Sequence, residues 1–433
     1  MEADIFNSKG YRRSRFAYVV QCAVEYMVTL LLTDSFLAKL LLYLGLDDAT
    51  IGIVSSLLNF AFLVEFLVIP FISRFHSYKR FVIVVDTVSV LTYFAVYMLP
   101  FLRVSPTLMK VLVYLLVAGG PVLRCIIDSM YYPWANAFVR PGERASFSAV
   151  KEIVSLVVGI IISLAAGYLM DSFEARGDLR RAFLLFGGCI LAAALLNLVT
   201  LLLIDDVKAE HPGGEKKSSG LVALLKSNRR YRQTIISDCL HYIAINLTLG
   251  FLGTFKTVEL GFSVWQVQLF TSVSFLVRIA ISMPLGRYSD RHSFASGYSL
   301  AQFLALGAFL LLVFTTPERR WLMVAFTILY QVSLAANEQN RLNILYDYVP
   351  AETFVPALAF KNFFVGTVSM SAAVVGGRLL NLIQSHGNHF AGLPLYGQQV
   401  LALISCLFLL ACIVFNSLTL VRPARLKGSR LRR

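Results

Sequence analysis

Seven basic and eight acidic residues of this 433-residue chain fall inside long apolar runs: Lys39, Arg124, Lys151, Arg278, Arg341, Lys361 and Arg378, and Glu25, Asp34, Glu65, Asp86, Asp128, Glu152, Asp238 and Glu338. An ionised group in hydrocarbon costs at least about 2.5–3.5 kcal/mol at a helix centre, so each must face a protein interior, pair, or reach water. Lys151, Glu152 and Lys361 lie within two turns of a run's end, and Lys39 and Asp34 approach the end of the first run, so depth discounts them. The deep set remains. Arg124 and Asp128 are four apart on one helical face, and Tyr131 extends that face. Glu25 lies at a similar depth in the first run.

Glu25, Arg124 and Asp128 together suit a charge relay. Desolvation raises a buried carboxylate's affinity for protons and a nearby arginine lowers it, so the group can load and release a proton as water access changes. The same residues also suit a static ion pair that fixes helix register, and both readings stay open. A second set suits solute contact. In "NEQNRLN", Asn337 to Asn343, Glu338 and Arg341 are three apart among amide donors and acceptors. Asp238 and His241 share a face in another run. The candidate solute cavity is Asp238, His241, Asn337, Glu338, Arg341 and Tyr131; His241 equally suits a packed core position.

The elements that must hold these groups are membrane helices. Hydrophobic residues make up 57% of the chain and charged residues 15%, too little polar surface for a soluble domain. Apolar runs of spanning length recur without the alternation of a barrel strand, which makes the chain an all-α membrane protein. Twelve helices are expected, at 17–42, 50–73, 80–102, 108–136, 146–170, 182–204, 233–256, 264–286, 294–315, 321–346, 355–384 and 397–421. Basic residues number 24 in the segments on one side and 8 on the other, which places both termini in the cytosol. The lipid bilayer, rather than nucleic acid, accounts for the net charge of +14. The polar, basic start reads as lacking a cleavable leader. Six cysteines without a CxxC indicate neither disulfide framework nor metal site.

The polar stretch 205–232, with Pro-Gly-Gly and Lys-Lys-Ser-Ser-Gly, reads as a cytosolic linker. It separates a bundle over 17–204 from one over 233–421, with a cytosolic start at 1–16 and a basic tail at 422–433. The bundles look duplicated. Pro141 and Glu143 in "FVRPGERASFSAV" match Pro350 and Glu352 at an offset of 209, and Ala149, Lys151 and Gly167 match Ala359, Lys361 and Gly377 at 210.

These features, with "GRYSDRHS" between the eighth and ninth spans, resemble the major facilitator superfamily along essentially the whole chain. The resemblance implies two pseudo-symmetric six-helix bundles, with the first, fourth, seventh and tenth spans lining the cavity. It also implies a cytosolic gate motif at Gly286, Arg287, Asp290 and Arg291, with Asp290 facing the start of span five near Arg144 to Lys151. The first-half copy keeps only Arg74, Lys79 and Arg80; Ile69 and Ser73 stand where the motif has Gly and Asp. The expected latch is therefore stronger from the second half.

The function expected is secondary active transport of a small organic solute by alternating access in the cytoplasmic membrane, coupled to protons, with sodium as the alternative ion. A monomer without cofactor or metal is expected. Drug/proton antiport, sugar-type symport and a transport-incompetent scaffold are the other readings within the fold. No nucleotide-binding motif, HExxH or GxSxG occurs, and the six histidines are scattered, so no enzyme is indicated.

Overall fold

A computed structural model describes residues 6, 8–57, 78–140, 144–206, 224–349, 353–390 and 393–421. Thirteen long helices follow one another: α1 (Lys9–Leu31), α2 (Asp34–Tyr43), α3 (Asp48–Ser56), α4 (Tyr78–Met98), α5 (Pro106–Asn136), α6 (Arg144–Ala175), α7 (Leu179–Leu203), α8 (Arg229–Asn246), α9 (Val264–His292), α10 (Phe294–Val313), α11 (Trp321–Tyr348), α12 (Phe354–Ser385) and α13 (Gly397–Asn416). A two-residue β pair, His389–Phe390 with Leu393–Pro394, joins the last two. The all-helical expectation holds. Among the described residues nine helices are long and apolar enough to cross a membrane, or ten if the bent pair α1–α2 counts as one span. The expected span 50–73 lies mostly outside the described residues.

Three runs depart from continuous helices. The first breaks after Leu31, and α1 and α2 meet at 46°. Thr33 and Asp34 explain the break: the Thr33 hydroxyl donates to the Leu30 carbonyl at 3.1 Å, and Asp34 takes a positive φ of 49°. Short polar side chains offer the backbone such alternatives to the helical ladder. The seventh run is regular only to Asn246 and continues through a 3₁₀ turn, Leu249–Phe251, and a π-helical stretch, Phe255–Glu259. The eighth runs on past Gly286 to His292, so the stretch expected as a turn is the last part of α9. Arg291 and His292 in that last turn complement the helix dipole, and His292 stacks on Tyr288 at 4.4 Å.

The chain forms two compact units. The first comprises 1–47, 57–212 and 263–268; the second comprises 48–56, 213–262 and 269–433. In the first, α4 packs on α5 and α7, and α1 on α6 and α7. Its core includes Tyr18, Val82, Ile127, Tyr131, Trp134 and Leu201. The first residues of α9 belong to this unit. Both carboxylate oxygens of Asp171 cap them, accepting the Val264 and Trp265 N–H groups at 2.9 Å each. A Cβ on Gly167 would lie 3.0 Å from the Trp265 Cα, so glycine permits that approach.

In the second unit α10 packs on α11 and α13, and α8 on α12 and α13, around Phe255, Phe309, Phe326 and Leu409. Helix α3 belongs here, seated against α12 and Leu249–Phe251. Its Gly52 is filled by the Phe251 ring, whose Cδ1 lies 1.8 Å from where a Cβ would sit. The Gln384 amide donates to Asp48 of α3 at 3.0 Å. Residues 48–56 and 263–268 thus each pack in the unit made up mostly of the other half of the sequence.

Candidate functional site

Each unit holds one buried charged cluster. In the first, Arg124 of α5 is shared between two carboxylates. It pairs with Glu25 of α1 and donates to Asp86 Oδ1 of α4 at 2.6 Å. The other Asp86 oxygen accepts the Asn197 amide of α7. The Arg124 guanidinium also lies 5.0 Å from the Tyr131 ring centroid, within cation–π range. The Tyr131 hydroxyl donates to Gln21 of α1. Three helices therefore meet at one guanidinium, and a fourth, α7, is joined to it through Asp86.

The two carboxylates differ in surroundings. The Asp86 side chain is 1% exposed and that of Glu25 is 18%. Asp86 is held by a charge-assisted bond and an amide; Glu25 keeps a partly exposed edge. Of the three residues expected to act as a charge relay, Glu25 and Arg124 pair. The Asp128 side chain lies outside the described residues, and Asp86 takes the second carboxylate position. A lone aspartate in the apolar run "FVIVVDTVSVL" was the available signal for Asp86.

In the second unit the centre is Asp238 of α8. Lys361 Nζ of α12 lies 2.7 Å from its Oδ2, the Tyr298 hydroxyl of α10 donates to Oδ1 at 2.6 Å, and Arg341 of α11 lies 4.0 Å from Oδ2. Arg341 donates to the Tyr242 hydroxyl at 2.8 Å. The depth argument about Lys361 fails. Its side chain does not snorkel to the end of α12 but is fully buried, because Asp238 supplies a counter-ion nearby. His241 packs edge-on against Tyr242, and neither ring nitrogen has a hydrogen-bond partner among the described residues. Asn337 is buried, and its side-chain oxygen has no hydrogen-bond partner among the described residues; the Glu338 side chain lies outside them. Tyr131, expected in the same cavity, packs in the first unit's core.

The gate residues are more dispersed. Arg74 lies outside the described residues. Lys79 donates to the Leu202 carbonyl at 3.0 Å, and Arg80 is exposed. Gly286 is half-buried inside α9, not at its end. Arg287, Asp290 and Arg291 are exposed, and no ion pair is recorded for them among the described residues. The Arg144 side chain also lies outside them, so the expected contact of Asp290 with the start of α6 stays an expectation. The described residues include no group of three or more His, Cys, Asp or Glu able to hold a metal ion.

A sequence model described as Major Facilitator Superfamily matches residues 234–432. The second half of the chain is thus similar in sequence to the major facilitator superfamily. Solved structures extend a likeness of fold over both halves of the chain. A variant of the nucleoside transporter NupG aligns with a TM-score of 0.72 at 14% identity, covering 94% of this chain and 100% of that one. A bacterial homologue of the human lysosomal transporter Spinster aligns at 0.66 and 12%, covering 98% of each. A bacterial homologue of the iron transporter ferroportin aligns at 0.66 and 13%, covering 94% of this chain and 98% of that one. No curated protein sequence matches the chain.

Proposed function

We propose that this chain is a secondary active transporter that moves a small organic solute across the cytoplasmic membrane by alternating access, with both termini cytosolic and with protons as the coupling ion. The observation that carries the coupling is the sharing of Arg124 between a sealed carboxylate, Asp86, and a partly exposed one, Glu25. When water reaches Glu25, protonation costs only its bond to Arg124, because Asp86 keeps the guanidinium compensated. When the site closes to water, the neutral acid travels without the desolvation penalty of a carboxylate. Glu25 is thus the proton carrier, Arg124 the group that sets its affinity, and Asp86 the anchor. Arg287, Asp290 and Arg291 belong in this reading to a cytosolic latch.

Tracer uptake into proteoliposomes tests the proposal. Nucleosides lead the solute panel, since NupG is a nucleoside transporter; sugars, drug-like cations and organic acids follow. A pH gradient should drive accumulation, and Glu25→Gln should abolish accumulation while sparing exchange down a solute gradient. Absence of gradient-driven flux across the panel, together with wild-type behaviour of Glu25→Gln, would sink the reading.

A further inference from the structure

Asp238 meets cations from two other helices. Its Oδ2 faces the Lys361 ammonium at 2.7 Å and the Arg341 guanidinium at 4.0 Å, and its Oδ1 is held by the Tyr298 hydroxyl at 2.6 Å. Asp238 and Lys361 are sealed from solvent, and the Arg341 side chain retains 11% exposure. A buried ion pair stabilises a fold no better than apolar residues of similar volume, so stability alone does not account for this one. An oxygen placed between an ammonium and a guanidinium instead marks where an anion binds. Two polar groups close to the cluster in sequence have their hydrogen-bonding capacity unused among the described residues. They are both nitrogens of His241, three residues after Asp238, and the carbonyl oxygen of Asn337, one turn before Arg341. Both residues are 1% exposed.

We propose that Lys361 and Arg341 form the anion-binding end of the solute site, that Asp238 occupies that end when no solute is bound, and that the solute is a small organic anion bearing a carboxylate or phosphate. This deepens, and rests on, the transporter reading. Protonation at Asp238 Oδ2 releases Lys361 and Arg341 together, while Tyr298 keeps the other oxygen. The solute's anionic group takes the vacated ion-pair positions. One proton and one negative charge enter together, so the charge of the cluster is unchanged and the two bind as a unit. The titratable and charged groups facing Asp238 are Lys361 from α12, Arg341 from α11, Tyr298 from α10, Cys412 from α13, and Cys239 and His241 on α8 itself. Glu338 of α11 lies outside the described side chains.

The test uses the full-length protein in lipid nanodiscs and reads ligand-induced thermal stabilisation. The probes are lactate, succinate, inorganic phosphate and glycerol 3-phosphate, against glycerol and choline as uncharged and cationic controls. For lactate, which stays a monoanion across this range, one linked proton makes affinity about tenfold tighter at about pH 6 than at about pH 7. Asp238→Asn, which keeps the shape and removes the charge, should bind the same anion with less than about twofold dependence on pH. Lys361→Met should lose anion binding. If it fails to fold for want of a partner to Asp238, the Asp238→Asn/Lys361→Met double variant removes both charges and should show the same loss. Glycerol or choline binding as well as the anions, no binding of any anionic probe, or an unaltered pH dependence in Asp238→Asn would each overturn the proposal. Flux is scored separately in proteoliposomes. Anion binding without flux removes the transporter reading and leaves the anion site; flux of an uncharged solute without anion binding does the reverse.

Discussion

Replacing Asp86 by leucine should cost far more stability than replacing Glu25 by leucine, although both carboxylates pair with Arg124. The difference follows from what each change leaves behind. Asp86→Leu strips a sealed site of its only recorded acceptor for the Asn197 amide and of one of the two carboxylates on Arg124. Breaking a buried pair from one side costs about 3–5 kcal/mol, because the remaining charge stays desolvated. Glu25→Leu leaves the Arg124–Asp86 bond intact and removes a carboxylate that already touches water, so about 1 kcal/mol is expected. A gap of about 3 kcal/mol is roughly a hundredfold in the folding equilibrium. Reversible denaturation in mixed micelles, followed by fluorescence of the buried Trp134, measures both variants on one scale. An Asp86→Leu/Asn197→Leu double variant should recover part of the loss, since it removes the buried amide that Asp86 had accepted. Equal costs for the two single variants, or a double variant no better than Asp86→Leu, would refute the division into anchor and carrier.

Three further outcomes follow from single contacts. Gly52→Ala should destabilise the seat of α3 by about 1–3 kcal/mol, because the new methyl group meets the buried Phe251 ring. Phe251→Leu in the same background should relieve it, and thermal denaturation reads both. Asp171→Ala removes the acceptor of two N–H groups at the start of α9 and should cost about 1 kcal/mol, with Asp171→Asn intermediate on the same scale. For the latch, Asp290→Asn should raise the labelling rate of single cysteines introduced along α8 by a membrane-impermeant thiol reagent; unchanged rates would remove Asp290 from any gating role.

Chemistry within one helix was legible in the chain; chemistry between helices was not. Arg124 announced itself as a cation deep in an apolar run, and Glu25 by lying at matching depth. Asp86 was equally visible but had no same-helix partner, so nothing in its own stretch said which cation it meets. Lys361 was misjudged for a related reason. Distance to a helix end decides whether a lysine can reach water, but a carboxylate on another helix can hold it closer at hand, and Asp238 is 123 positions away in the chain. The stretch "GRYSDRHS" was read as a turn because its polar and charged residues separate two long apolar runs. In α9 the backbone instead keeps its helical ladder through His292, and the break falls at Ser293, whose hydroxyl accepts the Ser296 N–H at 3.1 Å. A propensity of about 1 kcal/mol for one glycine is outweighed by the helix it sits in.

The internal repeat also explains why the two clusters should differ in task. Each unit places an acid on its first helical run, Glu25 or Asp238, and an arginine on the fourth, Arg124 or Arg341, with a tyrosine ring 5.0 or 5.2 Å from the guanidinium. The third run of each supplies a group that bonds the cluster, Asp86 in one and Tyr298 in the other. Where the first unit joins one guanidinium to two carboxylates, the second joins one carboxylate to two cations, Lys361 and Arg341. A site with a cation between two acids is suited to exchanging a proton on the more exposed acid. A site with an acid between two cations is suited to exchanging that acid for an external anion. The third run contributes to the difference alongside Lys361: Asp86 adds a charge where Tyr298 adds only a hydroxyl. Tyr298→Asp should therefore weaken anion binding in the second unit while leaving the Arg124 cluster untouched, and Tyr298→Phe, which loses only the hydrogen bond, should not weaken it. Equal effects of the two substitutions in the nanodisc binding assay would show that charge at this position is not what separates the clusters.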